Sequence, residues 1–136
     1  MTAEEYLKQY RDAVIIANRL KTEYDKEWEL LNSIRSPLGS DGMPRGGGIS
    51  KQVEQKAIRL AEKLEKWHDA EIEASLIKTV VMDTVNKVPG NCGEVLYERY
   101  INLLKWEQVA DKLGYSERQC HNLKDKGLEI VEKLIR

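Results

Sequence analysis

The sequence has few or none of the residues that several large classes of protein need. Its 136 residues contain no phenylalanine and three prolines, which argues against an all-β fold rich in aromatic residues and turns. It also lacks an uninterrupted apolar run of about 18 residues, so no transmembrane helix is expected. The first residues are charged from Glu4 onward, unlike a secretory signal peptide. We therefore expect a cytoplasmic protein with no membrane partner.

An excess of charge of one sign is missing as well. The chain has 22 lysines and arginines against 23 aspartates and glutamates, a formal net charge of −1. A strongly basic chain would point to nucleic acid, whereas this balance leaves any DNA-binding hypothesis to a local motif. Cysteine is also scarce, because Cys92 and Cys120 stand alone without a Cys-x-x-Cys partner. In a cytoplasmic chain we expect both thiols to be reduced.

Patterns typical of catalysis or metal binding are incomplete. Glu65 and His68 form one Glu-x-x-His pair, but a di-iron site in a helical bundle needs two such pairs and further carboxylates. The segment PRGGGIS lacks the lysine of a phosphate-binding loop. The serines and histidines do not follow the pattern of a nucleophile elbow. We therefore predict no metal, no cofactor and no enzymatic activity.

What the sequence does contain is helical periodicity. Residues 2–35 repeat apolar positions by threes and fours, the spacing of a coiled-coil or helical-hairpin seam, with Glu27 as a polar interruption. The predicted seam of this first helix consists of Tyr6, Tyr10, Ala13, Ala17, Leu20, Tyr24, Leu31 and Ile34. A second helix is predicted from about Ser50 to Lys87. Its predicted seam consists of Val53, Ala57, Leu60, Leu64, Trp67, Ile72, Leu76 and Val80.

Between the two helices, residues 36–50 hold five of the nine glycines and two of the three prolines. Because this density of glycine and proline cannot continue a helix, a flexible loop is predicted there. Residues 1–88 are thus predicted to form one domain, a long antiparallel helical hairpin. Its apolar stripe is wider than one seam can cover, since Leu7, Val14 and Trp28 flank it on the first helix. We therefore expect a homodimer or higher oligomer, the monomeric alternative being that the C-terminal unit covers part of the stripe.

Residues 89–136 are predicted to form a second domain built around a helix-turn-helix. Asn91 is expected to cap a helix that ends near Leu103, and a short helix follows over 106–113. Gly114 then ends that helix, and Ser116 caps a last helix that runs to the C-terminus. The residues expected to face a shared core are Val109, Ala110, Leu113, Tyr115, Cys120 and Leu123. The alternative for this pattern is a plain helical hairpin.

The last helix presents polar residues on the face opposite Cys120 and Leu123. In a DNA-binding helix-turn-helix, this face would enter the major groove, where arginine reads guanine and asparagine reads adenine. Lysines beside it would contact phosphates, as would the N-terminus of the helix. The candidate DNA-binding residues are Lys105, Ser116, Glu117, Arg118, His121, Asn122, Lys124, Asp125 and Lys126. The alternative is an ordinary solvated helix face.

The segment EVLYERYINLLKWEQVADKLGYSERQCHNLKDKGLEIVEKL resembles region 4 of bacterial sigma factors, and the whole chain resembles phage ArpU/RinA-type transcriptional regulators. The most specific features are the glycine- and proline-rich segment and the RYI, KW and GYS series. Within that series, Arg99 and Tyr100 match the family's Arg-Tyr pair. Where sigma factors usually carry glycine and serine or threonine before the second helix, this chain has Leu103 and Lys105.

The resemblance implies an all-α, phage- or prophage-encoded regulator of late gene expression in the bacterial cytoplasm. Such a protein binds double-stranded DNA through the helix-turn-helix and uses the long hairpin to self-associate or to contact RNA polymerase. Two other hypotheses remain. One is a phage packaging subunit similar to the small terminase, which also joins a helix-turn-helix to oligomerising helices. The other is a helical protein-interaction module without affinity for DNA.

Overall fold

The structure, a computed structural model, describes residues 1–35 and 47–136. Over these ranges the chain is helical and contains no strand, which confirms the predicted all-α fold. The helices are α1 (Ala3–Arg35), α2 (Gly47–Asn86), α3 (Gly90–Leu96), α4 (Trp106–Leu113) and α5 (Glu117–Leu134), and a π-helical turn (Tyr97–Ile101) follows α3. None of the helices in these ranges is long and apolar enough to cross a membrane.

The predicted boundaries of the long helices agree closely with the structure, with one correction. Thr2 Oγ1 accepts the backbone N–H of Glu5 at 3.2 Å, so Thr2 caps α1 as expected. The loop predicted over 36–50 is too long, because α2 already begins at Gly47. The remainder of that predicted loop, 36–46, lies outside the described residues.

The predicted cap at Asn91 is wrong. Helix α3 begins one residue earlier, at Gly90, and its N-cap residue is Pro89 in an extended conformation. Asn91 therefore lies inside the first turn, where its side chain is not in the capping position. The helix also ends as a regular α-helix at Leu96 rather than near Leu103, because the next five residues form the π-helical turn.

The chain packs as two compact units, and their border differs from the domain boundary expected at residue 88. The larger unit combines residues 1–14 with 73–136, and the smaller unit consists of residues 15–72. The border thus crosses both long helices. The start of α1 and the end of α2 belong to the same compact unit as α3, α4 and α5.

The core of the larger unit shows why the start of α1 belongs to it. Leu7 is fully buried in one cluster with Val81, Leu96 and Val131. The backbone N–H of Ala3, in the first turn of α1, donates to Oε2 of Glu132 in α5 at 3.0 Å. A carboxylate at a helix N-terminus satisfies a free N–H group and stabilises the helix dipole.

The smaller unit is a pair of helical segments with a sparse core. Tyr24 and Trp67 stack with ring centroids 5.5 Å apart, and Lys63 Nζ lies 3.4 Å from a carboxylate oxygen of Glu23. Among the described residues of this unit, the buried apolar side chains are Ala17 and Leu31. Its large apolar side chains that remain exposed are Ile15, Ile16, Trp28, Leu30, Ile58, Leu64 and Ile72.

The seam predicted for α2 is correct at Trp67, but Ala57 and Leu64 before it are exposed, and the prediction is wrong beyond Trp67. The seam continues through Ala70 and Ala74 to Ile77 and Val81, in steps of three and four residues. The residues predicted instead, Ile72, Leu76 and Val80, are 52%, 65% and 55% exposed. Ala74 is buried and Ala70 is half-buried, whereas the larger side chains beside them lie on the exposed side of the helix.

Candidate nucleic-acid interface

Helices α4 and α5 are joined by a three-residue turn, as the sequence predicts for a helix-turn-helix. Gly114 ends α4 in the left-handed region at φ 76°, where a residue with a Cβ is strained. The backbone N–H groups of Gly114 and Tyr115 both donate to the carbonyl of Ala110, at 2.9 and 3.0 Å. Ser116 Oγ then accepts the N–H of Gln119 at 3.1 Å, which caps α5. The turn is therefore specified by local chemistry on both sides.

The two helices share a small core of their own. Val109, Ala110 and Cys120 are buried together with Val95 of α3. The half-buried apolar residues around them are Leu104, Trp106, Leu113, Tyr115 and Leu123. All six residues predicted from the sequence to face this core do so. Burial, and then the charge of Glu117, raise the pKa of the Cys120 thiol, so the thiol stays protonated and unreactive.

The opposite face of α5 is polar and accessible. Arg118 and Asn122, one helical turn apart, are both exposed. The other candidate residues on this face that are exposed are Ser116, Glu117, Asp125 and Lys126. Lys105, the residue before α4, is also exposed, and its backbone N–H donates to Oε1 of Gln108 at 2.9 Å. These side chains are free to approach a ligand in the way that a recognition helix requires.

Two candidate residues, His121 and Lys124, are held against an aromatic side chain instead. The ring of His121 lies 4.5 Å from the ring of Trp106, centroid to centroid. Lys124 Nζ lies 5.6 Å from the same Trp106 ring, and its side chain is only 19% exposed. Asp125 is 3.6 Å from this ammonium group. Both side chains are therefore fixed by packing, on the flank of the exposed face of α5.

The sequence did not indicate the two other residues of this aromatic contact, Arg99 and Trp106, as site residues. Arg99, from the π-helical turn, has its guanidinium carbon 4.9 Å from the centroid of Trp106. Its Nη1 donates to the carbonyl of Leu104 at 2.9 Å. The chain between them turns sharply at Leu103, which has φ 57°. No regular spacing in the sequence reports this contact, because it depends on the π-helical turn and on the irregular loop before α4.

Metal-ligating side chains do not gather in the part of the chain that the structure describes. Within residues 1–35 and 47–136, no three histidine, cysteine, aspartate or glutamate side chains lie together as ligands for one ion. Glu65 and His68, the sequence pair considered above, are exposed on α2.

Comparison with known proteins gives no relative for this chain. No family model, no curated protein and no solved structure matches it. The resemblance to phage ArpU/RinA-type regulators therefore depends on the sequence features given above, among them Arg99–Tyr100 and Gly114–Ser116. The function has to be inferred from the geometry and chemistry of the chain itself.

Proposed function

We propose that the chain is a sequence-specific DNA-binding regulator of transcription that reads the major groove with α5. The observation that carries this proposal is the two-sided character of α5. Cys120 is buried against α4, whereas Arg118 and Asn122 are exposed together on the other side. Arginine pairs with O6 and N7 of guanine and asparagine with N6 and N7 of adenine, so this pair can recognise adjacent bases.

Groups around this pair have the chemistry to hold the phosphate backbone. The N-terminus of α5 is capped by Ser116 and carries a partial positive charge that attracts a phosphate. Lys105 and Lys126 are exposed and can each neutralise one phosphate. Such contacts set the position of the protein on the duplex, and the base contacts supply the specificity.

A single copy would bind weakly, which favours self-association. Residues 94–136 carry eight basic and eight acidic side chains, so their net charge provides little attraction for DNA. Among its described residues, the smaller unit leaves large apolar side chains exposed, including Ile16, Ile58 and Ile72. A second copy covering them would form a homodimer or higher oligomer and bring two reading heads to paired half-sites.

In the biological setting that the sequence resemblance suggests, the protein acts on late genes of a phage or prophage in the bacterial cytoplasm. Contact with RNA polymerase belongs to the same proposal, because the resemblance is to sigma factor region 4. Co-purification of the polymerase with the intact protein on a promoter fragment tests that contact. Retention of the polymerase on that fragment only when the protein is present is the expected result.

The experiment for DNA reading is selection of bound duplexes from a random pool, followed by variants of the exposed pair. Replacing Arg118 or Asn122 by alanine should cost about 1–3 kcal/mol against the selected site. Lys133→Ala is the matched control, since Lys133 is exposed near the far end of the same helix. If the Arg118→Ala, Asn122→Ala double variant discriminates the selected site from random DNA as well as the wild type does, the reading assignment is wrong.

Measurement of mass in solution tests the proposed assembly. We expect a dimer or small oligomer at micromolar concentration, reduced to monomer by an Ile16→Glu, Ile58→Glu double variant that charges the exposed apolar surface. A large closed ring would favour the packaging subunit over the regulator. A monomeric wild-type protein would overturn self-association but leave the reading assignment to the selection experiment.

A further inference from the structure

Three basic side chains from different parts of the chain meet on one indole ring. Arg99 comes from the π-helical turn, and His121 and Lys124 come from α5. Their distances to the Trp106 ring are 4.9 Å from the guanidinium carbon, 4.5 Å between ring centroids and 5.6 Å from the ammonium nitrogen, respectively. We call these four residues the Trp106 cluster.

The indole fixes side chains that are otherwise mobile. Arginine and lysine lose much of their rotamer entropy when they are held in one conformation. In the Trp106 cluster much of this entropy is already lost when the protein folds, because Arg99 and Lys124 lie over the indole ring and Lys124 is largely covered. Cations ordered in advance bind an anion more tightly than mobile ones do.

The donors of the Trp106 cluster are not exhausted by contacts within the chain. Arg99 gives one hydrogen bond to the carbonyl of Leu104, whereas a guanidinium has five N–H donors. Lys124 is 3.6 Å from Asp125, a carboxylate that is 69% exposed, so this ion pair is weak. Arg99 and Lys124 each bring a positive charge close to the same ring, and a bound anion would offset the repulsion between these charges.

The position of the Trp106 cluster indicates which anion would bind. Trp106 is the first residue of α4, so the positive end of that helix lies beside it. His121 and Lys124 lie on the flank of the face of α5 that exposes Arg118 and Asn122. A duplex that offers its major groove to those two residues has its phosphate backbone along the flank of the helix.

We infer that the Trp106 cluster is a preformed binding site for a backbone phosphodiester of DNA, with Arg99 as its principal donor. The inference rests on the proposed function, since it assumes that α5 approaches a duplex. It adds Arg99 and Trp106 to the interface, assigns His121 to the backbone rather than to the bases, and places Lys124, already expected to contact a phosphate, in the same site. Binding at this site depends on charge and is independent of sequence.

The experiment measures the affinity of the full-length chain for a short duplex of mixed sequence as a function of salt. Each phosphate contact contributes a slope of about −0.9 to the logarithm of the binding constant against the logarithm of salt concentration. Arg99→Gln and Lys124→Gln should each make the slope less steep by about 0.9, the contribution of one phosphate contact. Arg99→Lys should retain the wild-type slope. Lys133→Gln removes the same charge from an exposed position near the end of α5 and should leave the slope unchanged.

The outcomes separate this inference from the proposed function. Equal slopes for the wild type, Lys124→Gln and Lys133→Gln overturn the phosphate site and leave the reading of bases by Arg118 intact. Absence of duplex binding by the wild type at low salt overturns both. Arg99 also supports the loop before α4, so thermal unfolding is measured for each variant, and if Arg99→Gln fails to fold, Lys124→Gln and Arg99→Lys decide the result.

Discussion

Lys112 Nζ lies 2.9 Å from Oε2 of Glu98, and this ion pair joins α4 to the π-helical turn. Asn102 Nδ2 donates to the same oxygen at 3.0 Å. Burial raises the pKa of Glu98, but the hydrogen bonds from Asn102 and Lys112 and the positive charge of Lys112 more than offset burial. The pKa of Glu98 is therefore lowered from its ordinary value of 4.5.

We expect Lys112→Met to lower the free energy of unfolding by about 1 kcal/mol. The value is modest because the Lys112 side chain is 56% exposed and water already screens its charge. Urea unfolding followed by circular dichroism measures it. Lys133→Met, which removes an exposed lysine from α5, is the control and should change stability little. Equal stability of the two variants would show that the ion pair contributes nothing.

The same pair predicts how stability depends on acid. Since the pKa of Glu98 is lowered by folding, its contribution is present above the ordinary pKa of 4.5 and is lost as pH falls through the pKa of the folded state. The difference in stability between the wild type and Lys112→Met should therefore shrink below pH 4.5. Unfolding curves collected at a series of acidic pH values test this. A difference that stays constant into strong acid would contradict it.

Gly127 of α5 is buried where the helix crosses α3, and a Cβ there would lie 2.8 Å from Cδ1 of Leu96. Alanine normally favours a helix over glycine by about 1 kcal/mol. Here we expect the opposite sign, a loss of about 1–3 kcal/mol, because Leu96 is itself fully buried and cannot move freely. Thermal unfolding of Gly127→Ala measures the loss. Adding Leu96→Val should recover part of it, and simple additivity of the two changes would argue against the clash.

Much of the fold follows from local sequence signals. Gly114 predicts the end of α4, Ser116 predicts the start of α5, and the buried position of Cys120 follows from helical spacing. Each of these signals acts within one or two turns of helix, so the sequence contains all of the relevant information. The site residues with the same local basis, Arg118 and Asn122, are exposed as predicted.

The features that sequence reasoning missed depend on contacts between distant segments. Ala70 and Ala74 lie on the buried side of α2 in place of the larger Ile72 and Leu76, and an alanine gives only a weak signal of burial in the sequence. Leu7 lies in one core cluster with Val131 of α5, a contact between the two ends of the sequence. Arg99 reaches Trp106 through a π-helical turn, which residue spacing based on an α-helix does not anticipate.

Tyr100, in the π-helical turn, should titrate at high pH. Burial, and then the charge of Glu4, raise the pKa of its hydroxyl to about 12. Because the folded state holds the proton more tightly than the unfolded state, this stabilisation is complete below pH 10 and is lost as pH rises towards 12. Ultraviolet titration of the tyrosines should show a late phase that Tyr100→Phe removes. If Tyr100→Phe still shows the late phase, that phase belongs to another tyrosine.

Leu7 packs in the core of the larger unit, so we expect the start of α1 to control access to the thiol of Cys120, more than a hundred residues away in sequence. Leu7→Ala should destabilise the larger unit by about 2–5 kcal/mol, since it removes a fully buried side chain. Cys120 is labelled only when this unit opens, and each 1.4 kcal/mol changes an equilibrium about tenfold. In a Cys92→Ser background, Leu7→Ala should therefore speed the labelling of Cys120 at least about tenfold. Ile16→Ala, at an exposed position of the smaller unit, is the control and should leave the rate unchanged. If residues 89–136 fold on their own, Cys120 will be labelled no faster in Leu7→Ala than in Ile16→Ala.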